Sequence, residues 1–157
     1  MSMRETGGNE GGDERKSMKI GRDSKKSNGW KSLKEMKEYL RSKFEKKAES
    51  WERDRNGGET YLYFAAYLGD VDATKRLIQD NADVRAVSKS KESALHYAAL
   101  KEHVDVAKVL LRNGAEVNAV NENKWTALHN AASYGHVDVA KMLIQNGADV
   151  NAVQKTN

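Results

Sequence analysis

The chain has 157 residues and no cysteine, which excludes disulfides, thiolate zinc sites and cysteine nucleophiles. Its net charge of +4 is uneven, because residues 1–55 hold 16 Lys/Arg against 11 Asp/Glu, whereas residues 56–157 hold 11 against 12. No apolar run approaches the ~18 residues of a membrane-spanning helix, and the polar amino terminus has no secretory signal, so a cytoplasmic location is the default expectation.

Residues 1–29 are rich in Gly, Ser, Asn and mixed charges, and they contain few large apolar side chains. Such a segment cannot bury enough apolar surface to offset the entropy of ordering. We therefore expect a disordered polar tail.

Residues 30–52 are expected to form an amphipathic helix. Apolar residues recur there at steps of three or four, namely Trp30, Leu33, Met36, Leu40, Phe44, Ala48 and Trp51. Shifted by 66 positions, Leu40 and Phe44 align with Val106 and Leu110, so 38–51 resembles the second helix of a lost repeat. We expect this helix to cap the amino-terminal end of the array that follows.

Three copies of one pattern occupy the rest of the chain. "SALHYAALKEHVDVAKVLLRNGAEVNAV" begins at Ser93, and "TALHNAASYGHVDVAKMLIQNGADVNAV" begins 33 positions later, at Thr126. A weaker copy, "TYLYFAAYLGDVDATKRLIQDNADVRAV", begins at Thr60. A fixed period of this length predicts a repeat protein, with repeats at about 59–91, 92–124 and 125–157.

Each repeat is predicted to fold as two antiparallel helices. Thr126 is a suitable N-cap for a first helix over about 127–134, and the second helix should begin near Val137. Gly147 and Asn81 stand where the second helices should end in a left-handed conformation. Glu102 replaces a glycine found in the other two copies, so its turn should be more strained.

The motifs "TALH", "AA", "GHVDVAK" and "NGADVNA", in this order at a period of 33, resemble those of ankyrin repeats over residues 60–157. The resemblance implies an all-α solenoid of stacked helix pairs, with β-hairpin-like fingers between the repeats. The family's "TPLH" proline is replaced by Tyr61, Ala94 and Ala127, which does not prevent the fold because proline is favourable but not required there.

The resemblance also implies that a partner protein binds the concave groove formed by the finger tips and the faces of the first helices. Mapped residue by residue, the positions expected there are Tyr67, Leu68, Lys89, Ser90, Glu92, Leu100, Lys101, Glu122, Asn123, Trp125, Ser133 and Tyr134. Trp125 takes the place of Glu92 in the preceding copy, so the repeat itself requires no aromatic residue there. Two readings stay open for Trp125: an anchor for a partner, or packing on its own finger or against Tyr134.

No catalytic or metal-binding motif accompanies the repeats. The four histidines recur in two equivalent pairs, His96 with His129 and His103 with His136, so the repeat explains them. In the family the histidine of "TPLH" is structural. The sequence contains no phosphate-binding glycine loop and no hydrolase motif. We therefore expect no enzyme activity, cofactor, metal or small-molecule substrate.

The leading interpretation is a protein–protein interaction module. In the alternative, the basic helix 30–52 tethers the chain to an anionic membrane, calmodulin or nucleic acid. Glu35, Glu38 and Glu45 interrupt its cationic face, and nucleic acid is the weakest choice because aromatics do not interleave with the basic residues.

The last repeat should leave an apolar flank exposed. Its second helix keeps Val137, Val139, Met142, Leu143 and Ile144, as apolar as an internal copy. We expect either that the array continues beyond this chain or that the flank pairs with another molecule, including a second copy around a twofold axis.

Overall fold

The computed structural model of the chain describes residues 30–43 and 58–152, with backbone only at 58–60. The regular secondary structure in these ranges is α-helical, and their only β-type pairing is one isolated antiparallel bridge between Val87 and Ser93. The helices in the described ranges are α1 (Leu33–Lys43), α2 (Gly58–Leu68), α3 (Val71–Gln79), α4 (Ala94–Leu100), α5 (Val104–Arg112), α6 (Ala127–Ser133) and α7 (Val137–Gln145).

The three predicted helix pairs are α2 with α3, α4 with α5, and α6 with α7. Capping boxes start the first helices of repeats two and three, since the side chains of Ser93 and Thr126 accept hydrogen bonds from the backbone N–H groups of His96 and His129. Asp70 caps α3 by accepting a hydrogen bond from the amide of Ala73 at 3.0 Å. The Thr126 cap and the start of α7 at Val137 confirm the sequence predictions.

Left-handed residues end the helices where the sequence predicts them. Gly147 has φ 95°, and Asn81 has φ 70° at the equivalent place in repeat one. Glu102 has φ 61°, an uncommon conformation for a residue with a β-carbon. The prediction of a strained turn between α4 and α5 is therefore confirmed.

Neighbouring repeats stack helix on helix. The first helices α2, α4 and α6 pack in succession, as do the second helices α3, α5 and α7. The paired alanines let the first helices approach closely, and Ala65, Ala66, Ala98 and Ala99 are all 0% exposed. The result is the predicted array of stacked helix pairs, with its core along the two rows of helices.

Helix α1 packs against α2 through Met36 and Leu40, which are both 0% exposed. It begins at Leu33 and not at Trp30, because the Ser32 hydroxyl caps it by accepting a hydrogen bond from the Glu35 amide at 3.1 Å. Its contact with α2 is of the kind that joins first helices of neighbouring repeats. The described part therefore does not pack as the second helix that the register predicted.

Several sequence predictions fall outside the described residues. They are the disordered tail at 1–29, the continuation of the amphipathic helix over 44–52, and the roles of Phe44 and Trp51. The capping function of α1 stays a prediction. Among the helices of the described ranges, none combines the length and the apolar content needed to cross a bilayer.

Candidate partner-binding surface

The finger between repeats one and two is a tight turn over residues 87–93. The amide of Ser88 donates to the carbonyl of Glu92 at 2.9 Å, and Lys91 closes the turn with φ 64°. The predicted finger residues differ in exposure, because Lys89 is exposed whereas Ser90 and Glu92 are half-buried. The turn fixes the backbone that carries these three side chains.

The next finger, residues 120–126, repeats this turn and is bonded to the first. The amide of Asn121 donates to the carbonyl of Trp125 at 2.9 Å, and the amide of Glu122 donates to the carbonyl of Ser90 at 3.0 Å. The Asn121 side-chain amide donates to the Glu92 carboxylate at 3.0 Å. The two fingers therefore form one connected surface, from which Glu122 and Asn123 are exposed.

Asn121 organises this surface, and the sequence analysis missed it. Its side-chain oxygen accepts hydrogen bonds from the amides of Asn123 and Trp125, at 2.9 and 3.0 Å. The equivalent residue, Ser88, accepts one from the amide of Glu92 at 3.2 Å. The available signal was a small polar residue at the same repeat position, since such side chains stabilise turns by bonding the backbone a few residues ahead.

The carboxyl-terminal ends of the first helices form the second part of the predicted surface. Tyr67 is half-buried, and its ring lies 6.4 Å from that of Tyr97 in the next repeat. The ammonium group of Lys101 lies 5.0 Å from the centre of the Tyr67 ring, a cation–π contact. Leu68 and Lys101 are exposed, and Leu100 is half-buried.

At each of these helix ends, a histidine of the following repeat donates a hydrogen bond to a backbone carbonyl. The Nε2–H group of His103 donates to the carbonyl of Tyr67 at 3.0 Å, and that of His136 donates to the carbonyl of Leu100 at 3.0 Å. Burial is the main cause that lowers the pKa of His103, which favours the neutral ring. The repeated histidines therefore hold the backbone that presents the predicted residues.

His96 joins the fingers to the helices in a similar way. Its Nδ1 accepts a hydrogen bond from the Ser93 amide at 3.1 Å, and its Nε2–H donates to the carbonyl of Trp125 at 2.9 Å. Its side chain is 1% exposed, and this burial is the main reason that the pKa of His96 is lowered. The structural role expected for this histidine is confirmed. Among the side chains that the structure describes, at 30–43 and 61–152, no cluster of three His, Asp or Glu suited to a metal ion occurs.

Trp125 and Tyr134 each stack on a histidine of their own repeat, and not on each other. The Trp125 ring lies 5.8 Å from that of His129 at 27°, and the Tyr134 ring lies 5.9 Å from that of His136 at 18°. The suggestion that Trp125 packs against Tyr134 is therefore wrong. Trp125 is half-buried in its finger, whereas Tyr134 is 61% exposed. Ser133, next to Tyr134, is also exposed.

The predicted residues thus fall into two groups, one on the fingers and one at the ends of the first helices. The finger group contains Lys89, Ser90, Glu92, Glu122, Asn123 and Trp125, and the helix-end group contains Tyr67, Leu68, Leu100, Lys101, Ser133 and Tyr134. Hydrogen bonds connect the fingers to each other, and His96 connects the second finger to α4. We call both groups together the finger and helix-end surface.

Comparison with known families agrees with the repeat pattern and the stacking. The family model for ankyrin repeats, described as three copies, matches residues 32–121 and 62–154, which together cover most of the chain. No curated protein is similar enough to the chain to count as a match. Ankyrin repeats are generally protein–protein interaction modules. The matched residues and the three stacked helix pairs together show that this chain belongs to the ankyrin-repeat family.

Proposed function

We propose that this chain is a non-catalytic protein–protein interaction module that binds a partner protein through the finger and helix-end surface. The proposal rests on a contrast between two sets of positions. The positions that build the frame repeat at intervals of 33, whereas those on the surface vary from copy to copy. Side chains that the fold does not require are available for recognition.

The observation that carries the proposal is the setting of Tyr134. Its ring is 61% exposed, yet it is stacked on His136. His136 is itself bonded to the carbonyl of Leu100 in the preceding repeat. An exposed aromatic ring held in one orientation loses little side-chain entropy on binding, and tyrosine is enriched among residues that dominate interface energies.

Trp125 supplies a second candidate anchor on the finger. Its indole N–H is buried and has no acceptor among the described residues. An unsatisfied buried donor costs about 1–3 kcal/mol, so the residue is not explained by stability alone. In repeat two the same position holds Glu92, whose carboxylate is bonded to Asn121.

The alternative function, a membrane or calmodulin tether at helix 30–52, has weaker support. Met36 and Leu40 would have to contact lipid or calmodulin, but both are buried against α2. A tether would therefore require α1 to detach from α2. Nucleic acid binding would need aromatic rings open to stacking beside the basic residues.

Affinity capture from a cell lysate with three forms of the chain tests the proposal. The baits are the unchanged chain, Trp125→Ala/Tyr134→Ala, and the control Lys108→Ala/Lys141→Ala, whose side chains are exposed on second helices. We expect a captured protein to be lost with the first variant and retained with the control. Its recovery should change little between about 0.05 and 0.3 M salt, because the anchors are aromatic.

Thermal melting of the same variants separates binding from folding. Because Tyr134 is exposed and Trp125 only half-buried, the double variant should melt within a few degrees of the unchanged chain. A large drop in melting temperature would mean that these residues pack the fold. Equal capture by all three baits would overturn the proposal.

A further inference from the structure

His96 lies where the first finger meets α4, and both nitrogens of its ring are hydrogen-bonded to the backbone. Nδ1 accepts from the Ser93 amide at 3.1 Å, and Nε2–H donates to the carbonyl of Trp125 at 2.9 Å. An amide N–H can only donate and a carbonyl can only accept, so this ring is neutral with its proton on Nε2. We call Ser93, His96 and Trp125 together the His96 joint.

A second proton on the ring would break one bond of the joint. It would bind Nδ1, which then becomes a donor and can no longer accept from the Ser93 amide. The Ser93 hydroxyl, at 2.9 Å from Nδ1, can turn to accept the new N–H, but the amide N–H is fixed by the backbone and loses its acceptor. Ser93 is 5% exposed, so water replaces that acceptor only if the chain opens locally.

Burial and nearby groups determine how strongly the fold resists this proton. The His96 side chain is 1% exposed, and burial is the main cause that lowers its pKa. The Trp125 carbonyl and the Glu92 carboxylate act in the opposite direction and raise that pKa. The Glu92 carboxylate is shared, because it also accepts a hydrogen bond from Asn121.

The elements packed around α4 add no further charge at His96 among the described residues. Residues 61–68 of α2 and all of α6 contain no Asp, Glu, Lys or Arg, and His129 is the one titratable group of α6. The tyrosines of α2 are neutral below about pH 8. The other charged side chains of α5 and the two fingers are exposed to solvent: Asp105, Lys108, Arg112, Lys89, Lys91, Glu122 and Lys124.

We propose that the His96 joint is a pH-sensitive switch, in which a proton taken up from solvent at Nδ1 of His96 breaks the bond to the Ser93 amide and opens the first finger from the start of α4. Because the folded ring binds a proton less readily than an unfolded histidine, the joint is fully stable above about pH 6.5 and weakens as the pH falls below it. Glu92 and Trp125, which flank the joint, belong to the finger and helix-end surface, so acid loosens part of that surface. The switch is a property of the free chain and stands whether or not the proposed function holds.

Amide hydrogen exchange of the full chain, followed by NMR between about pH 7.5 and 5, tests the switch. After correction for the intrinsic pH dependence of exchange, protection of the Ser93 amide should fall about tenfold for each pH unit below about 6.5, because opening takes up one proton. A local measurement is needed because burial also lowers the pKa of His103, so that global unfolding combines both histidines.

Two matched variants assign the effect to His96. In His96→Gln, which has no titrating group at this place, protection of the Ser93 amide should change by about threefold at most over the same pH range. His129→Gln, at the equivalent place in repeat three, should keep the pH dependence of the unchanged chain.

The unchanged chain decides alone if His96→Gln does not fold. NMR of the His96 ring should then show the proton on Nε2 at about pH 7.5, as the two backbone bonds require. A proton on Nδ1 at that pH would overturn the proposal, as would Ser93 protection that is constant down to about pH 5. An unaltered pH dependence in folded His96→Gln would also overturn it.

Discussion

Repeats two and three have nearly the same residues at equivalent positions, yet they bury them differently. Ala99 is 0% exposed, whereas its equivalent Ala132 is exposed. Leu111 is half-buried, whereas Ile144 is 46% exposed. The difference arises because repeat three covers repeat two, while no described repeat covers repeat three. In this fold the burial of a residue depends on the neighbouring repeat as much as on its own.

This comparison explains how the helix ends in the middle of the array are supported by the repeat that follows them. His103 and His136 each bond a carbonyl of the preceding repeat, so every stacked repeat fixes the helix end before it. Tyr67 and Leu100 have such support from the repeat that follows. In repeat three the equivalent carbonyl is that of Ser133, which accepts no bond from a following histidine among the described residues, and the neighbouring Tyr134 is held through its ring on His136.

The largest expected effect contrasts the same leucine in the two repeats. Leu95 is 1% exposed and Leu128 is half-buried. Leu95→Ala should lower the free energy of unfolding by about 3 kcal/mol and Leu128→Ala by about half of that, because the second leaves a smaller enclosed cavity. Urea unfolding followed by circular dichroism measures both. Equal losses would show that repeat three is packed as fully as repeat two.

The sequence predicts the helix pairs and their turns well, because these elements depend on local sequence signals. The period of 33, the N-cap at Thr126 and the left-handed turns at Asn81 and Gly147 all agree with the structure. Each depends on a residue type and its immediate neighbours. The stacking of the alanine pairs follows from the period together with the small size of alanine.

Contacts between repeats could not be predicted in the same way. Asn121 bonds Glu92, and His96 bonds the carbonyl of Trp125, both across 29 positions. Such bonds depend on how the fingers align after stacking. Which helix of repeat one α1 packs against could not be predicted from the sequence either, because an amphipathic stripe shows which side of a helix is buried but not which helix covers it.

The inter-helix turns provide a second, smaller contrast between the repeats. Glu102 has φ 61° in repeat two, and Gly135 has φ 72° at the same place in repeat three. Glu102→Gly should raise the free energy of unfolding by about 1 kcal/mol, and Gly135→Ala should lower it by a similar amount, because only the residues with a β-carbon are strained.

Neighbouring groups determine which of these variants isolates the backbone strain. A β-carbon at Gly135 would meet no atom within 4 Å, so the cost there comes from the backbone conformation alone. At Gly69 a β-carbon would lie 2.5 Å from the His103 ring, so Gly69→Ala should cost more than Gly135→Ala. Glu102→Gly also loses the contact of the carboxylate with His136 at 3.4 Å. If Glu102→Gly is destabilising, that contact outweighs the strain.

The smallest expected effect is that of Ile144→Lys on the folding of the isolated chain. Ile144 is 46% exposed near the end of α7, so a lysine there should change the free energy of unfolding by less than about 0.5 kcal/mol. The matched change Leu111→Lys, at the half-buried equivalent in repeat two, should cost about 1–2 kcal/mol because repeat three packs beside it.

The same pair of variants tests whether the flank of repeat three pairs with another molecule. Val137 and Val150 are 57% and 60% exposed, and together with Ile144 they give α7 and the loop after it an apolar surface open to water. Light scattering of the unchanged chain should show association that grows with concentration, and Ile144→Lys should remove it, because burying a charge at an apolar interface is costly. Hydrogen exchange across α7 provides an independent reading, since a covered flank slows it as concentration rises. A chain that stays monomeric at high concentration, with amides in α7 as protected as those in α5, would contradict both pairing and local fraying.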